Sequence, residues 1–122
     1  MPEAPERRAL PRTRLAERPA ARMRGVREVR VLDLSLAGAQ IEHLDLLQPG
    51  IACALDLPPP CGALSLLAQV VWCTVIGQRR TRGGGSHLVA RSGLRFTTLT
   101  AEQHAILTDS LQHLAAALQP IA

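Results

Sequence analysis

The chain has 122 residues and is 47% hydrophobic, which suits the core of one small domain and excludes a disordered protein. Aromatic residues make up only 2%, so the stacking platforms typical of single-stranded nucleic-acid binding are nearly absent and nucleic acid is a disfavoured partner. The formal net charge is +4, and the basic residues are all arginines, concentrated at residues 7–30 and 79–95. Such zones fit a polyanionic partner or a solvated basic surface, and charge alone leaves both open.

Three sequence signals bear on where the protein works. No apolar run is long enough to span a bilayer, and the N-terminal residues lack the apolar stretch of a signal peptide. The cysteines are odd in number and irregularly spaced, which fits reduced thiols better than a disulfide framework. They are Cys53, Cys61 and Cys73. We therefore expect a cytoplasmic protein that does not associate with membranes.

Residues 1–13 contain three prolines and no apolar periodicity, which predicts a flexible N-terminal arm. Residues 14–122 are predicted to form a single domain, because nothing in them repeats and nothing suggests a second domain. Short apolar or alternating segments, separated by frequent glycine and proline turn signals, are typical of an all-β barrel or sandwich. The predicted strands lie, in chain order, at residues 15–23, 26–31, 39–42, 51–57, 64–76 and 87–96.

The strand pattern is uneven, and a helix follows it. Pro19 interrupts the first segment and makes it a weak edge strand, whereas segment 64–76 is the longest apolar run and predicts a central strand. Thr100 and Gln103 then form a capping box, which predicts the start of a helix. Leucines at helical spacing follow, namely Leu107, Leu111, Leu114 and Leu118. We expect this amphipathic helix to cover an open end or edge of the barrel.

The segment Asp33-Leu34-Ser35-Leu36-Ala37-Gly38 has the pattern Asp-x-Ser-x-x-Gly. Asp and Ser side chains can bind nearby backbone N–H groups, and glycine permits a positive φ, so a well-made turn is one interpretation. A binding site is the other. A carboxylate can accept two hydrogen bonds from the N1–H and N2–H₂ edge of guanine, and a hydroxyl with exposed turn N–H groups can bind phosphate. The motif by itself leaves both interpretations open.

Arg8 and Arg12 form an Arg-x-x-x-Arg pair ahead of the first predicted strand. Guanidinium groups can bind the O6/N7 edge of guanine, pair with phosphate and stack on base planes. The same spacing recurs at Arg14/Arg18 and at Arg18/Arg22, as chance predicts in so arginine-rich a chain. We favour Arg8 and Arg12 because they alone precede the first strand. The alternative interpretation is a solvated basic arm.

The combination of these features resembles the PilZ domain, a bacterial receptor module for the second messenger cyclic di-GMP. The order is Arg-Arg-x-x-Pro-Arg, a proline-containing strand, and an alternating strand that runs into Asp-x-Ser-x-x-Gly. Val70-Val71-Trp72 resembles the family's fifth strand, and Ser92-Gly93-Leu94-Arg95-Phe96 resembles its last strand, which a terminal helix follows. The resemblance extends from Arg7 to about Leu118. The departures are a first strand poor in β-branched residues and a glycine-heavy loop at residues 83–86.

The resemblance implies a mainly β fold, a six-stranded antiparallel PilZ-type β-barrel with a C-terminal α-helix. It also implies that the arm wraps over a ligand held against the barrel by the Asp-x-Ser-x-x-Gly surface. In the family, an arginine directly before the Arg-x-x-x-Arg motif accompanies an intercalated dimer of the nucleotide. Arg7 occupies that position, so the resemblance favours two ligands per domain.

The same resemblance assigns roles to five further residues. Arg8 and Arg12 would grip guanine and phosphate, and Asp33 would read a guanine edge. Ser35 would help to hold the ligand, and Gly38 would keep the turn open. The arm would change conformation on binding and thereby signal to an effector protein that the sequence does not identify.

The sequence predicts no enzyme, because no Ser/His/Asp or Cys/His arrangement stands out and paired carboxylates are scarce. The cysteines and histidines lack metal-ligand spacing, so we expect no metal and no cofactor besides the ligand. Two alternatives to the receptor remain. One is a PilZ-like protein–protein adaptor that ignores the nucleotide, and the other is a small basic nucleic-acid-binding barrel. The sequence leaves the pathway, the ligand affinity and the oligomeric state open.

Overall fold

The computed structural model describes residues 11–80 and 82–118, with side chains described up to residue 115. These residues form seven β-strands, one short 3-10 helix and one α-helix. The strands are β1 (Thr13–Arg14), β2 (Ala20–Met23), β3 (Val26–Leu34), β4 (Gly38–Leu44), β5 (Ala52–Asp56), β6 (Ser65–Arg80) and β7 (Ser86–Thr98). The 3-10 helix is Pro59–Cys61, and the α-helix α1 is Ala101–Leu118.

Six of the strands close into an antiparallel ring. Their order is β3-β2-β5-β6-β7-β4, and pairing of β4 with β3 completes the ring. The two-residue strand β1 adds to the end of β3, where Thr13 pairs with Leu34 and Arg14 pairs with Asp33. The predicted fold class, a six-stranded antiparallel barrel with a C-terminal helix, is therefore confirmed.

The barrel interior is filled mainly by aliphatic side chains that alternate with outward-facing ones along the strands. In β3, for example, Val29 and Val31 are buried, and Arg30 between them is exposed. Burying one such Val side chain contributes roughly 1.5–3 kcal/mol to stability. Two polar groups inside the wall satisfy each other, because His43 Nε2 lies 2.7 Å from Ser92 Oγ.

Helix α1 starts at the predicted capping box. The Gln103 N–H donates to Thr100 Oγ1 at 3.0 Å, and the Thr100 N–H donates to Gln103 Oε1 at 3.0 Å. The Gln103 side-chain amide also donates to the Ser65 carbonyl oxygen at 3.1 Å, which ties the helix start to β6. Leu107 is fully buried and anchors the helix on the barrel core. In the part of the chain that the structure describes, no helix is both long and apolar enough to cross a bilayer.

The first predicted strand and strand β6 differ in length from the sequence prediction. The first predicted strand is confined to Ala20–Met23, because Arg18 takes a positive φ of 49° and Pro19 follows it. Strand β6 continues beyond the apolar run to Arg80, because β7 pairs with it as far as Ser86. From Thr74 onward every β6 side chain is exposed, so this part of the β6–β7 hairpin projects beyond the core.

Candidate functional site

The turn between β3 and β4 is built around the side chain of Ser35. Its Oγ accepts hydrogen bonds from the backbone N–H groups of Ala37 at 3.1 Å and Gly38 at 3.2 Å. The Ser35 N–H donates to the Gly38 carbonyl oxygen at 2.9 Å. The side chain is buried, with only 4% of its surface exposed. Ser35 therefore fixes the shape of the turn.

Gly38 is constrained by packing, not by a positive φ. Its backbone lies outside the left-handed region in which glycine is favoured. A Cβ atom built on Gly38 would lie 2.0 Å from the Leu94 carbonyl oxygen and 3.2 Å from the Arg95 Cα. This close approach occurs where β4 joins β7, since Gly38 pairs with Arg95. The expectation that glycine permits an unusual turn conformation is wrong for Gly38, because the neighbouring strand excludes a side chain.

Cross-strand pairing places four residues in one row around the barrel wall. Asp33 of β3 pairs with Gln40 of β4, Gln40 pairs with Gly93 of β7, and Gly93 pairs with Trp72 of β6. The residues that flank Asp33, Gln40 and Gly93 in sequence are largely buried in the core. Because side chains alternate along a strand, the four paired residues face outward. We call this set the outer row.

Asp33, at one end of the outer row, carries a carboxylate that the fold does not fully satisfy. Its side chain is 17% exposed, and its buried Oδ1 atom has no hydrogen-bond partner among the described residues. The Nη1 atom of Arg12 lies 3.6 Å from this oxygen. Burial raises the pKa of Asp33 above its ordinary value of 3.8, and the positive charge of Arg12, a hydrogen bond from the Gln40 backbone and the positive charge of Arg14 oppose this rise. The Asp33 carboxylate thus lies beside a guanidinium group and keeps one oxygen without a hydrogen bond among the described residues.

A cleft of about 390 Å³ opens on the same wall, beside the β3–β4 turn. Its lining comes from the segment before β1, the turn, and strands β4, β6 and β7. The lining residues are Arg12, Ser35, Ala37, Gly38, Ala39, Val71, Trp72, Gly93, Leu94 and Arg95. Two guanidinium groups and an indole around a small concave surface suit a ligand that is planar in part and anionic in part.

A larger groove of about 480 Å³ lies on strands β2 and β3. Its lining residues are Ala20, Ala21, Arg22, Met23, Arg24, Val26, Glu28, Val29, Arg30 and Asp56. None of the predicted site residues that the structure describes lines this groove. Its side chains include no buried polar atom that lacks a partner within the described residues, in contrast to Asp33 near the smaller cleft. The smaller cleft is therefore the better candidate.

The cleft brings together part of the predicted site. Arg12, Ser35 and Gly38 line it, and Asp33 lies beside it next to Arg12. Arg7 and Arg8 lie outside the described residues.

The arginines of the two other Arg-x-x-x-Arg pairs have different neighbours. Arg14 lies in β1 opposite Asp33, and Arg18 forms an ion pair with Glu42 at 3.7 Å. Arg91 approaches the same carboxylate at 3.2 Å, so Glu42 is shared between two cations. Arg22 lines the larger groove. Across residues 11–80 and 82–118, no cluster of three His, Cys, Asp or Glu side chains could hold a metal ion.

Sequence reasoning missed Trp72 and Arg95 as site residues, although both line the cleft. The Arg95 Nη2 donates to Gln69 Oε1 at 2.7 Å, which holds its guanidinium group. The available signal was that both residues lie in strand segments that carry the family resemblance. Their orientation was not predictable, because it depends on the pairing of β6 with β7 and on a bulge in β6.

A closed antiparallel ring with a small cleft on its outer wall, next to a partly unsatisfied carboxylate, is a β-barrel with a candidate ligand site. More specifically, the chain belongs to the PilZ domain family, whose model matches residues 6–113. The structure is similar to the PilZ domain of YcgR from Escherichia coli with c-di-GMP, with a TM-score of 0.64 and 16% sequence identity. That similarity covers 91% of this chain and 93% of the YcgR domain, and it supports the fold. A search of curated proteins finds no match.

Proposed function

We propose that this protein is a non-catalytic receptor for cyclic di-GMP, the nucleotide that the PilZ family recognises. The proposal rests on the unsatisfied Oδ1 atom of Asp33. It is buried without a hydrogen-bond partner among the described residues and lies 3.6 Å from the Arg12 guanidinium group. A buried acceptor without a donor costs free energy, which a ligand donor recovers on binding.

Asp33 reads guanine in this proposal. The N1–H and N2–H₂ groups of guanine form a planar pair of donors, and a carboxylate offers two oxygens in matching geometry. Adenine presents no such pair on its corresponding edge, so the contact selects guanine. The carboxylate must be ionised to accept both bonds, and the neighbouring Arg12 favours the ionised form.

The arginines supply the opposite charge. Arg12 is 60% exposed and lines the cleft, so its guanidinium group can pair with a ligand phosphate while it remains near Asp33. Arg8, four residues earlier in the arm, binds the guanine and phosphate groups of the ligand together with Arg12. Arg7 accompanies a second, intercalated nucleotide, which gives two ligands per domain.

Ser35 and Gly38 shape the wall against which the ligand lies. The Ser35 hydroxyl already accepts two backbone N–H groups, so it holds the ligand mainly through the position of the turn. Gly38 keeps the floor of the cleft flat, because any side chain there would collide with the Leu94 carbonyl group.

The signal passes through residues 1–13. Arg12 sits directly before β1, which is paired with β3, so binding at the cleft fixes the arm at its C-terminal end. Ordering of Arg7 and Arg8 around the ligand then creates a new surface for an effector protein.

Isothermal titration calorimetry with cyclic di-GMP tests this function. The wild type is expected to bind with a dissociation constant on the order of micromolar, since a few bidentate contacts must also order the arm. Arg12→Ala and Asp33→Ala are each expected to weaken binding about tenfold or more. Arg24→Ala is the matched control, because Arg24 is exposed and lies in the larger groove.

GTP at the same concentration controls for unspecific attraction of phosphate to a basic protein. No binding of cyclic di-GMP by folded wild-type protein would overturn the receptor function and favour the nucleotide-independent adaptor. Equal losses for Arg24→Ala and Arg12→Ala would place the binding outside the cleft.

A further inference from the structure

One edge of strand β6 has a partner along only part of its length. Strand β5 pairs with residues Ser65–Gln69. Val70 then makes two backbone hydrogen bonds with the chain before β5, donating to the Ile51 carbonyl oxygen at 3.0 Å and accepting from the Gly50 N–H at 2.7 Å. From Thr74 to Arg80, β6 pairs with β7 on its other side, and no strand of the described chain pairs with it on this side. We call Thr74–Arg80 the open edge.

An unpaired strand edge presents a row of backbone N–H and C=O groups that can pair with another strand. The open edge is about 23 Å long, because a strand rises about 3.3 Å per residue. Its first five residues carry no charge, and Val75 and Ile76 are 45% and 46% exposed. The features that protect such an edge are limited here to the arginines at its end and a bulge at Ile76. The open edge is therefore suited to pairing with a further strand.

The distribution of charge along the open edge fits a second copy of the chain, paired antiparallel about Gly77. The resulting pairs are Gly77 with Gly77, Ile76 with Gln78, Val75 with Arg79, and Thr74 with Arg80. Both arginines then face uncharged residues, at opposite ends of the strand pair. A parallel pair in register would place each arginine beside its counterpart, and like charges directly opposite each other are destabilising. The open edge is thus complementary to itself in the antiparallel direction.

The shape of the molecule leaves room for this pairing. The open edge lies in the part of the β6–β7 hairpin that projects beyond the core. Antiparallel pairing points the first half of β6, which belongs to the barrel wall, in opposite directions in the two copies. The two barrels then lie at opposite ends of a four-stranded sheet in the order β7-β6-β6-β7. A Cβ atom built on Gly77 meets nothing within 4 Å, so the chain itself does not obstruct the centre of the pair.

We propose that the protein forms a two-fold symmetric dimer in which the open edges of two copies pair antiparallel about Gly77. The partner of this surface is therefore a second copy of the chain. No residue of the open edge lines the cleft, so the dimer is independent of the proposed nucleotide binding and carries two separate clefts. The contact involves one strand edge per copy and lies near the lower limit of about 1,200 Å² for stable interfaces. It should therefore dissociate at concentrations on the order of 10 µM.

Sedimentation velocity of the full-length protein without nucleotide tests the dimer. The chain has a mass of 13.1 kDa. Between about 1 µM and about 100 µM, the weight-average mass should rise from near this value towards twice this value. A two-fold pair uses both open edges, so the mass should not increase further.

A charge on the open edge should weaken the dimer. Ile76→Lys places two lysines, one from each copy, on either side of the two-fold axis and removes an apolar side chain from the contact. The dissociation constant should rise about tenfold or more. Leu67→Lys is the matched control, because Leu67 is 57% exposed on the same strand but lies where β5 already covers this edge. The control should dimerise like the wild type.

A cysteine at the two-fold axis tests the register. In the proposed pair, the Cα atoms of the two Gly77 residues are about 4.5–5.5 Å apart, which a disulfide can bridge. Gly77→Cys should therefore form a covalent dimer with oxidised glutathione, seen on non-reducing gels. Leu67→Cys is the control for exposure on the same strand, and the wild type is the control for the three native cysteines.

The outcomes decide separately on the dimer and on its register. A folded protein whose mass stays at 13.1 kDa over the whole range would overturn the dimer. Equal weakening by Ile76→Lys and Leu67→Lys, or a mass beyond that of a dimer, would overturn pairing through the open edge. Cross-linking of Gly77→Cys no stronger than that of Leu67→Cys would overturn the register about Gly77.

Discussion

The Oδ1 atom of Asp33 is buried and accepts no hydrogen bond among the described residues, so the ionised carboxyl group costs the empty barrel free energy. The Arg12 guanidinium group offsets part of this cost, but it is 60% exposed and therefore contributes little. This free-energy cost is expected in the proposed receptor, in which the hydrogen-bond donor to Asp33 belongs to the ligand. Stability and binding should then respond in opposite directions when Asp33 is changed.

Asp33→Asn tests this opposition. The amide removes a poorly solvated charge, so we expect the ligand-free protein to become equally or more stable, by up to about 1 kcal/mol. Binding of cyclic di-GMP should fall about tenfold or more, since an amide presents only one acceptor to guanine. Thermal unfolding and calorimetry measure the two effects.

Asp56→Asn is the matched control for this substitution. The Asp56 carboxylate is exposed and already accepts a hydrogen bond from Ser65 at 2.6 Å, so its loss should not raise the melting temperature. A clear drop in stability for Asp33→Asn would show that the Asp33 carboxylate has its hydrogen-bond partners in the ligand-free protein. Its proposed role as an acceptor that gains a donor from the ligand would then be wrong.

The raised pKa of Asp33 also predicts a pH dependence. Burial favours the protonated carboxyl group in the ligand-free barrel, so protonation begins at a higher pH than for an ordinary aspartate with a pKa of 3.8. Guanine requires the ionised form, and affinity should therefore weaken on acidification through that raised pKa. The sign is opposite for the empty fold, whose Asp33 contribution to stability grows as the pH falls. Titrations from neutral pH down to the ordinary aspartate pKa of 3.8 measure this, and an affinity that stays constant over that whole range would contradict it.

Gly38 supplies the sharpest steric prediction. Gly38→Ala would place a Cβ 2.0 Å from the Leu94 carbonyl oxygen, so β4 and β7 must separate locally. We expect a destabilisation of about 1–3 kcal/mol, visible as a melting temperature several degrees lower. Gly77→Ala is the control, because a Cβ there meets nothing within 4 Å and its φ is not positive. Equal stability of the two variants would refute the packing explanation for Gly38.

Some structural elements are determined by residues close in sequence, and others depend on pairing with distant strands. Helix α1 was predictable because Thr100 and Gln103 cap each other within one turn and the leucines that follow repeat at helical spacing. The outward position of Trp72 was not predictable, because it depends on a bulge and on a partner strand about twenty residues away. For the same reason sequence reasoning attributed the glycine at position 38 to a positive φ, whereas the close approach of β7 explains it. Local chemistry is visible in a sequence, whereas strand register is set by the whole barrel.

The capping box of α1 can be tested on its own. Thr100→Ala removes the Oγ1 acceptor of the Gln103 N–H, which should cost about 0.5–2 kcal/mol and lower the melting temperature by a few degrees. Thr100→Ser retains the acceptor and should stay close to the wild type. Cyclic di-GMP affinity should be unchanged in both, because α1 lies outside the cleft. A parallel loss of affinity would mean that the helix takes part in binding.

At the scale of the whole molecule, the barrel separates stability from recognition. The interior is mainly aliphatic and supports the ring, while the outer wall carries the carboxylate, guanidinium and indole groups around one cleft. The basic arm continues from this wall through Arg12. In the proposed receptor, binding at the cleft would change the charge of this one face, and the rest of the barrel would serve as a rigid support.

The most direct test of the receptor function is to map cyclic di-GMP binding on the ¹⁵N-labelled full-length protein by NMR. We predict saturable shifts of the backbone amides at residues 35–38 and 93–95 and of the Trp72 indole N–H, with little change at residues 101–115 of α1. The wall around the cleft would then be the binding surface. Shifts concentrated at residues 20–30 of the larger groove, or no shifts at saturating nucleotide, would contradict a receptor site in the cleft.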